Sequence, residues 1–162
     1  MAHHADDYAI LSHSRTNRHG GAAGYIDQGA VEAIMRILLA DDHVSLANTI
    51  SLWLSQKAGF ELVGIVTASQ EIEEVIHKAK PCVLLLDWDL PGLFTDAERR
   101  QLIQMLHAHF PRLVIIVLRS DLRALPQALA GLVHGYISKT ESPDYLLDLL
   151  VDLDVSCTHE SY

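Results

Sequence analysis

The chain has 162 residues, room for one domain with a core of its own and not for two of ordinary size. Twelve Lys and Arg against 21 Asp and Glu leave a formal charge of -9, which argues against nucleic acid as a direct partner because most of the surface would repel phosphates. With 49% hydrophobic and 20% charged residues, the composition excludes a disordered chain.

Residues 1–34 carry His3, His4, His13 and His19 among glycines and scattered charges, with little apolar periodicity, and read as a flexible leader. From Met35 the pattern changes. A first strand, Ile37-Leu38-Leu39-Ala40, ends in Asp41-Asp42, and Leu46, Ile50 and Leu54 then mark one face of a helix that stops at Gly59. A second strand covers 62–66, and a second helix runs from about Gln70 to the break at Pro81, with Ile72, Val75 and Ile76 inward. The third strand, 82–86, ends in Asp87. The Pro91-Gly92 turn leads to a helix over 95–110 with Leu102, Ile103 and Leu106 buried. A fourth strand spans 113–118 and a fourth helix 122–132. A fifth strand, 135–138, runs into Lys139, and a last helix starts at Ser142-Pro143 and ends near Leu153.

Five βα repeats whose strands are uninterrupted Val/Ile/Leu runs predict an α/β fold, a doubly wound five-stranded parallel sheet with helices on both faces. Its ligands bind outside the carboxyl ends of the strands, near the switch in strand order. Three of those ends are charged: Asp41 and Asp42, Asp87, and Lys139. Carboxylates converging on one crevice repel, and a divalent cation is the ordinary remedy. Magnesium suits such a site, because it accepts few protein carboxylates and leaves positions for phosphoryl oxygens. A carboxylate held there can attack phosphorus, with the lysine meeting the phosphoryl oxygens. Asp after a strand can instead be a helix cap, but four charged residues from three strand ends exceed what capping asks for.

Two cysteines, Cys82 and Cys157, are too few for a disulfide framework and lack zinc-ligand spacing, so reduced thiols in a cytoplasmic protein are expected. No apolar run approaches the ~18–20 residues of a spanning helix, and no secretory signal is legible, so no membrane association is expected.

Over 35–153 the chain resembles a response-regulator receiver domain of two-component signalling, of the single-domain type. The residues that carry the resemblance are Leu39-Ala40-Asp41-Asp42-His43, Leu84-Leu85-Leu86-Asp87-Trp88-Asp89-Leu90-Pro91-Gly92 and Gly135-Tyr136-Ile137-Ser138-Lys139. The resemblance implies a flavodoxin-like sheet of strand order 2-1-3-4-5. It implies Asp87 as phosphoacceptor, Asp41, Asp42, Asp87 and the Asp89 backbone carbonyl as ligands of Mg2+, and Lys139 as a phosphoryl contact. Tyr136 matches the family's aromatic switch. Trp88 is expected at the exposed rim, and His43 as a neighbour of the helix cap.

The chain departs from that pattern where relatives carry a Ser or Thr at the end of the fourth strand. Strand-end alignment puts Arg119 there, or Val117 or Leu118 if no gap is allowed, and Ser120 serves only if the strand runs longer. An arginine aimed into the crevice would partly neutralise Asp87 before any phosphorylation. Thr140 replaces a frequent proline after the lysine, which predicts a less fixed loop. Residues 154–162 read as a tail too short for an output module, so the domain is expected to act through a histidine kinase or phosphotransfer protein and a downstream effector. The apolar fourth and fifth helices suggest a homodimer face there. The function expected is phosphorelay without substrate turnover. Two rivals stand beside it: a degenerate receiver that binds partners without phosphorylation, and a haloacid-dehalogenase-type phosphatase built on Asp87-Trp88-Asp89.

Overall fold

A computed structural model describes residues 34–121, 126–153 and Cys157; the leader up to residue 33, residues 122–125, and the tail apart from Cys157 lie outside the described residues. The elements are β1 (Met35–Ala40), α1 (Val44–Ser55), β2 (Phe60–Val66), a 3-10 turn (Ser69–Glu71), α2 (Ile72–Ala79), β3 (Val83–Asp87), α3 (Asp96–His109), β4 (Val114–Arg119), α4 (Gln127–Ala130), β5 (Gly135–Ser138) and α5 (Pro143–Asp152). All strand pairs are parallel, in the order β2-β1-β3-β4-β5. The order reverses between β1 and β3, which opens a crevice above their carboxyl ends.

Every residue of β3 is buried, and its alternate side chains divide the core. Leu84 and Leu86 pack with Ile72, Ile76, Ile103, Leu106 and Leu129. Val83 and Leu85 pack with Ala47, Ile50, Leu54, Leu146 and Leu150 on the other face. Burial from both sides is why this strand reads as a continuous apolar run, and why its last residue, Asp87, is carried into a desolvated position.

The second helix ends at Ala79 with Lys80 as a left-handed C-cap (φ 45), at the break read from Pro81. Two local outcomes differ from the sequence reading. Of the fourth helix expected over 122–132, Gln127–Ala130 is helical, and Leu122 and Leu125 lie outside the described residues. Pro126 takes its N-cap, where a missing N–H costs nothing. The reduced state expected of the cysteines is not what the structure has. Cys157 returns to the foot of β3 and is joined to Cys82 as a disulfide, with Cα atoms 5.4 Å apart across 75 residues of sequence. That proximity depends on α5 and the chain after it, and no spacing rule carries it. Among the described residues no helix is long and apolar enough to cross a membrane.

Candidate functional site

The crevice gathers the charged strand ends. Asp41 follows β1, Asp87 closes β3 and Lys139 follows β5; Asp41 and Asp87 are 1% and 0% exposed. Lys139 Nζ lies 2.8 Å from Asp87 Oδ1 and 2.8 Å from Asp41 Oδ2. Asp42 is exposed at the rim. His43, expected only beside a cap, turns its ring inward, with Nδ1 at 2.9 Å from Asp41 Oδ1, 3.1 Å from Asp42 Oδ1 and 3.9 Å from Asp87 Oδ2. One donor atom from each of Asp41, Asp42, His43 and Asp87 lies within 4.8 Å of the others.

Burial holds the Asp87 carboxyl above the usual carboxylate value, against the Lys139 ammonium and the Asp89 backbone N–H, which favour its charged form. Burial acts to lower Lys139, but its contacts with Asp41 and Asp87 outweigh this and raise it, so it stays an ammonium. Asp87 Oδ1 is anchored by Lys139 and accepts from Asp89 N at 3.1 Å. Oδ2 is buried without a hydrogen-bond partner. Asp41 Oδ2 is buried and 2.8 Å from Lys139 Nζ. Buried acceptor oxygens left open beside further carboxylates are a hard-oxygen donor set, and the residues present therefore fit a magnesium ion.

A buried arginine that the sequence reading passed over fixes the loop after β3. Arg99 of α3 donates from Nε to the Trp88 carbonyl (2.8 Å), from Nη2 to the Leu93 carbonyl (3.1 Å) and from Nη1 to Asp96 Oδ1 (3.1 Å), and approaches Asp89 Oδ1 at 3.7 Å. The signal was available: Arg99 sits one turn before Ile103 on the buried stripe of its helix. Thr95 and Glu98 form a capping box that starts α3. Gly92 has φ +93, and a Cβ there would collide with Ser69 Oγ, so the Pro91-Gly92 turn admits no larger residue without displacement.

Trp88 is not at an exposed rim as expected. It is partly buried against the core, with the guanidinium carbons of Arg99 and Arg119 at 4.6 Å and 5.0 Å from its ring. Arg119 is the last residue of β4, while Ser120 lies beyond the strand and is exposed. The arginine is 7% exposed, and its guanidinium reaches Asp121 Oδ1 from Nε (2.8 Å) and Nη2 (2.6 Å). Asp121 and the Trp88 ring are among its partners. The loop after Lys139 is tied rather than loose: Ser138 Oγ meets Thr140 Oγ1 at 2.8 Å, and Ser138 N donates to Glu141 Oε2 at 3.2 Å. Tyr136 is 53% exposed. The apolar α5 resolves into Leu146 and Leu150 inward, with Tyr145 and Val151 in solvent.

The family model described as response regulator receiver domain matches residues 37–151. Response regulator protein VraR of Staphylococcus aureus is 27% identical over 116 residues, covering 70% of this chain and 54% of that protein, so the chain spans about half the length of the curated relatives it matches. The non-phosphorylated receiver domain of the stress response regulator RcsB from Escherichia coli superposes with a TM-score of 0.66 at 29% identity, covering 75% of this chain and 93% of that one. RcsB from Salmonella enterica serovar Typhimurium, bound to promoter rprA in the presence of phosphomimetic BeF3-, superposes with a TM-score of 0.64 at 28% identity, covering 74% of this chain and 61% of that one.

These relatives correct one expectation. Nucleic acid was set aside on a net charge of -9, yet RcsB is solved on a promoter. The charge of a receiver is a property of the matched segment, which is 61% of that RcsB chain, and does not report on what the rest of a regulator binds.

Proposed function

The chain belongs to the response regulator receiver domain family, and from that premise we propose that Asp87 accepts a phosphoryl group from a phosphohistidine donor. The observation that carries the reading is the asymmetry of one buried carboxylate: Asp87 Oδ1 is held by Lys139, while Oδ2 is open and faces the acid cluster. The open oxygen attacks phosphorus, a P–O bond forms as the donor's P–N bond breaks, and the imidazole leaves with the electron pair and is protonated from solvent. Lys139, already between Asp41 and Asp87, meets the phosphoryl oxygens. Magnesium, held by Asp41, Asp42, Asp87 and the Asp89 backbone carbonyl, would supply the remaining charge neutralisation. Arg99 fixes the loop that presents that carbonyl. Burial keeps water from the reacting carboxylate.

The modified Asp87 carries about -1.5 to -2 charges in place of one, and this falls beside the ends of β4 and β5. The surface formed by α4, β5 and α5, where Tyr136 and Tyr145 are exposed, is where the change is read out. Incubation with magnesium and an acyl phosphate such as acetyl phosphate tests the reading. One alkali-labile phosphoryl mass per chain, absent in Asp87→Asn and without magnesium, is expected. No adduct, or an equal one in Asp87→Asn, would overturn it.

A further inference from the structure

We propose that His43 adds an imidazole nitrogen to the acid pocket and makes it a site for a first-row transition ion, manganese(II), in preference to magnesium. The inference rests on the Asp87 reading above, since it concerns the cation that the same pocket holds.

His43 stands at the N-cap of α1, where a side chain ordinarily accepts from the first backbone N–H groups of the helix, yet it makes no capping bond. Its backbone N–H instead donates to Asp41 Oδ1 at 2.8 Å, which fixes the residue to the acids. The ring follows the backbone: Nδ1 is 2.9 Å from Asp41 Oδ1, 3.1 Å from Asp42 Oδ1 and 3.9 Å from Asp87 Oδ2. Around an octahedral ion with bonds of about 2.1 Å, adjacent donors stand about 3.0 Å apart and opposite ones about 4.2 Å, so these spacings suit donors to one centre. Hydrogen bonding within the group accounts for the two shorter distances, but it leaves Asp87 Oδ2 without a partner on a side chain that is 0% exposed. A buried oxygen left open toward the other donors points to a ligand still to be bound. Lys139 Nζ is 3.4 Å from the same Nδ1 and repels any cation that enters, so one more donor counts toward holding it. Oxygen donors alone suit magnesium, whereas imidazole favours first-row transition ions. Three carboxylates and one nitrogen remain a mainly hard set, and manganese is the member of that series suited to such oxygens.

The electron spin of manganese reports both occupancy and donors. The full chain is titrated with Mn2+ and no phosphodonor; the free ion is read from its resonance, and a bound imidazole from the nitrogen modulation of the electron spin echo. One ion per chain, with the modulation of a single imidazole, is expected. In His43→Asn, which suits an N-cap but carries no imidazole, the modulation disappears and manganese binds about ten-fold more weakly, while the affinity for magnesium, read by its displacement of manganese, changes by less than about two-fold. Asp42→Asn weakens the binding of both ions. Manganese bound without nitrogen modulation, the same modulation in His43→Asn, or an equal loss for both ions in that variant would overturn His43 as a ligand and leave the acids and Asp87 untouched. No bound manganese in the parent, or full binding in Asp42→Asn, would overturn the cation pocket itself, and with it the magnesium part of the Asp87 reading.

Discussion

The crevice has two sides built on different principles. On the acid side, Asp41, Asp87 and Lys139 meet at the carboxyl ends of β1, β3 and β5, and β3, which ends in Asp87, is buried along its whole length. On the β4 side, Arg119 is also buried, with an exposed aspartate and an aromatic ring among its partners. The first arrangement is strongly coupled, since removing one charge leaves others unpaired out of water. In the second, the contact with the aspartate is screened, because that side chain is 47% exposed. Pairing out of water and pairing at the surface thus sit side by side at the ends of neighbouring strands.

The sharpest way to break this contrast is Lys139→Met. It leaves two buried carboxylates facing each other, and a loss of about 3–5 kcal/mol at neutral pH is expected in urea unfolding. Because burial already holds Asp87 above the usual carboxylate value, protonation relieves the defect, and the deficit should shrink as pH falls. A pH-independent deficit would show that packing rather than charge was lost. Arg99→Met cuts the link between the two sides by freeing the Trp88 and Leu93 carbonyls; about 2–3 kcal/mol of destabilisation, with a changed Trp88 emission, is expected in the same titration. Thr95→Ala removes half of the capping box at the mouth of α3 and should cost about 1 kcal/mol without altering phosphorylation, which separates loop stability from site chemistry.

The smallest effect lies at the start of β5. His134 Nδ1 accepts from Ile115 N at 3.1 Å, which requires that nitrogen unprotonated. Burial, aided by His107, lowers its pKa from the ordinary 6.5. A lowered value in the folded state means that its contribution is present above pH 6.5 and is lost as pH falls through the folded value. Thermal unfolding of His134→Gln should accordingly vary less with pH across that window than the parent.

The sheet, its five strands and the converging charges were legible because each depends on local pattern. A fully buried strand must be apolar throughout, so the charged residue that ends it stands out, as Asp41 does after β1 and Asp87 at the end of β3. Residues whose role depends on the direction of a side chain were not legible. His43 is the N-cap of α1, as its position suggests, but that its ring meets Asp41 and Asp42 rather than the helix backbone follows only from their closeness in the fold. Trp88 reads as a rim residue until Arg99 and Arg119 are brought to it from α3 and β4. The Cys82–Cys157 link and the short α4 after Pro126 likewise depend on tertiary placement. The charge count does not decide the question of nucleic acid, since RcsB, matched over 61% of its own chain, is solved on a promoter.

The most direct test of the acid centre is a crystal structure of the chain grown with magnesium and beryllofluoride. The account predicts a cation bound by Asp41, Asp42 and Asp87, with the fluoride adduct on Asp87 within reach of Lys139. A cation bound elsewhere, or an Asp87 left bare while those residues keep their present positions, would contradict it.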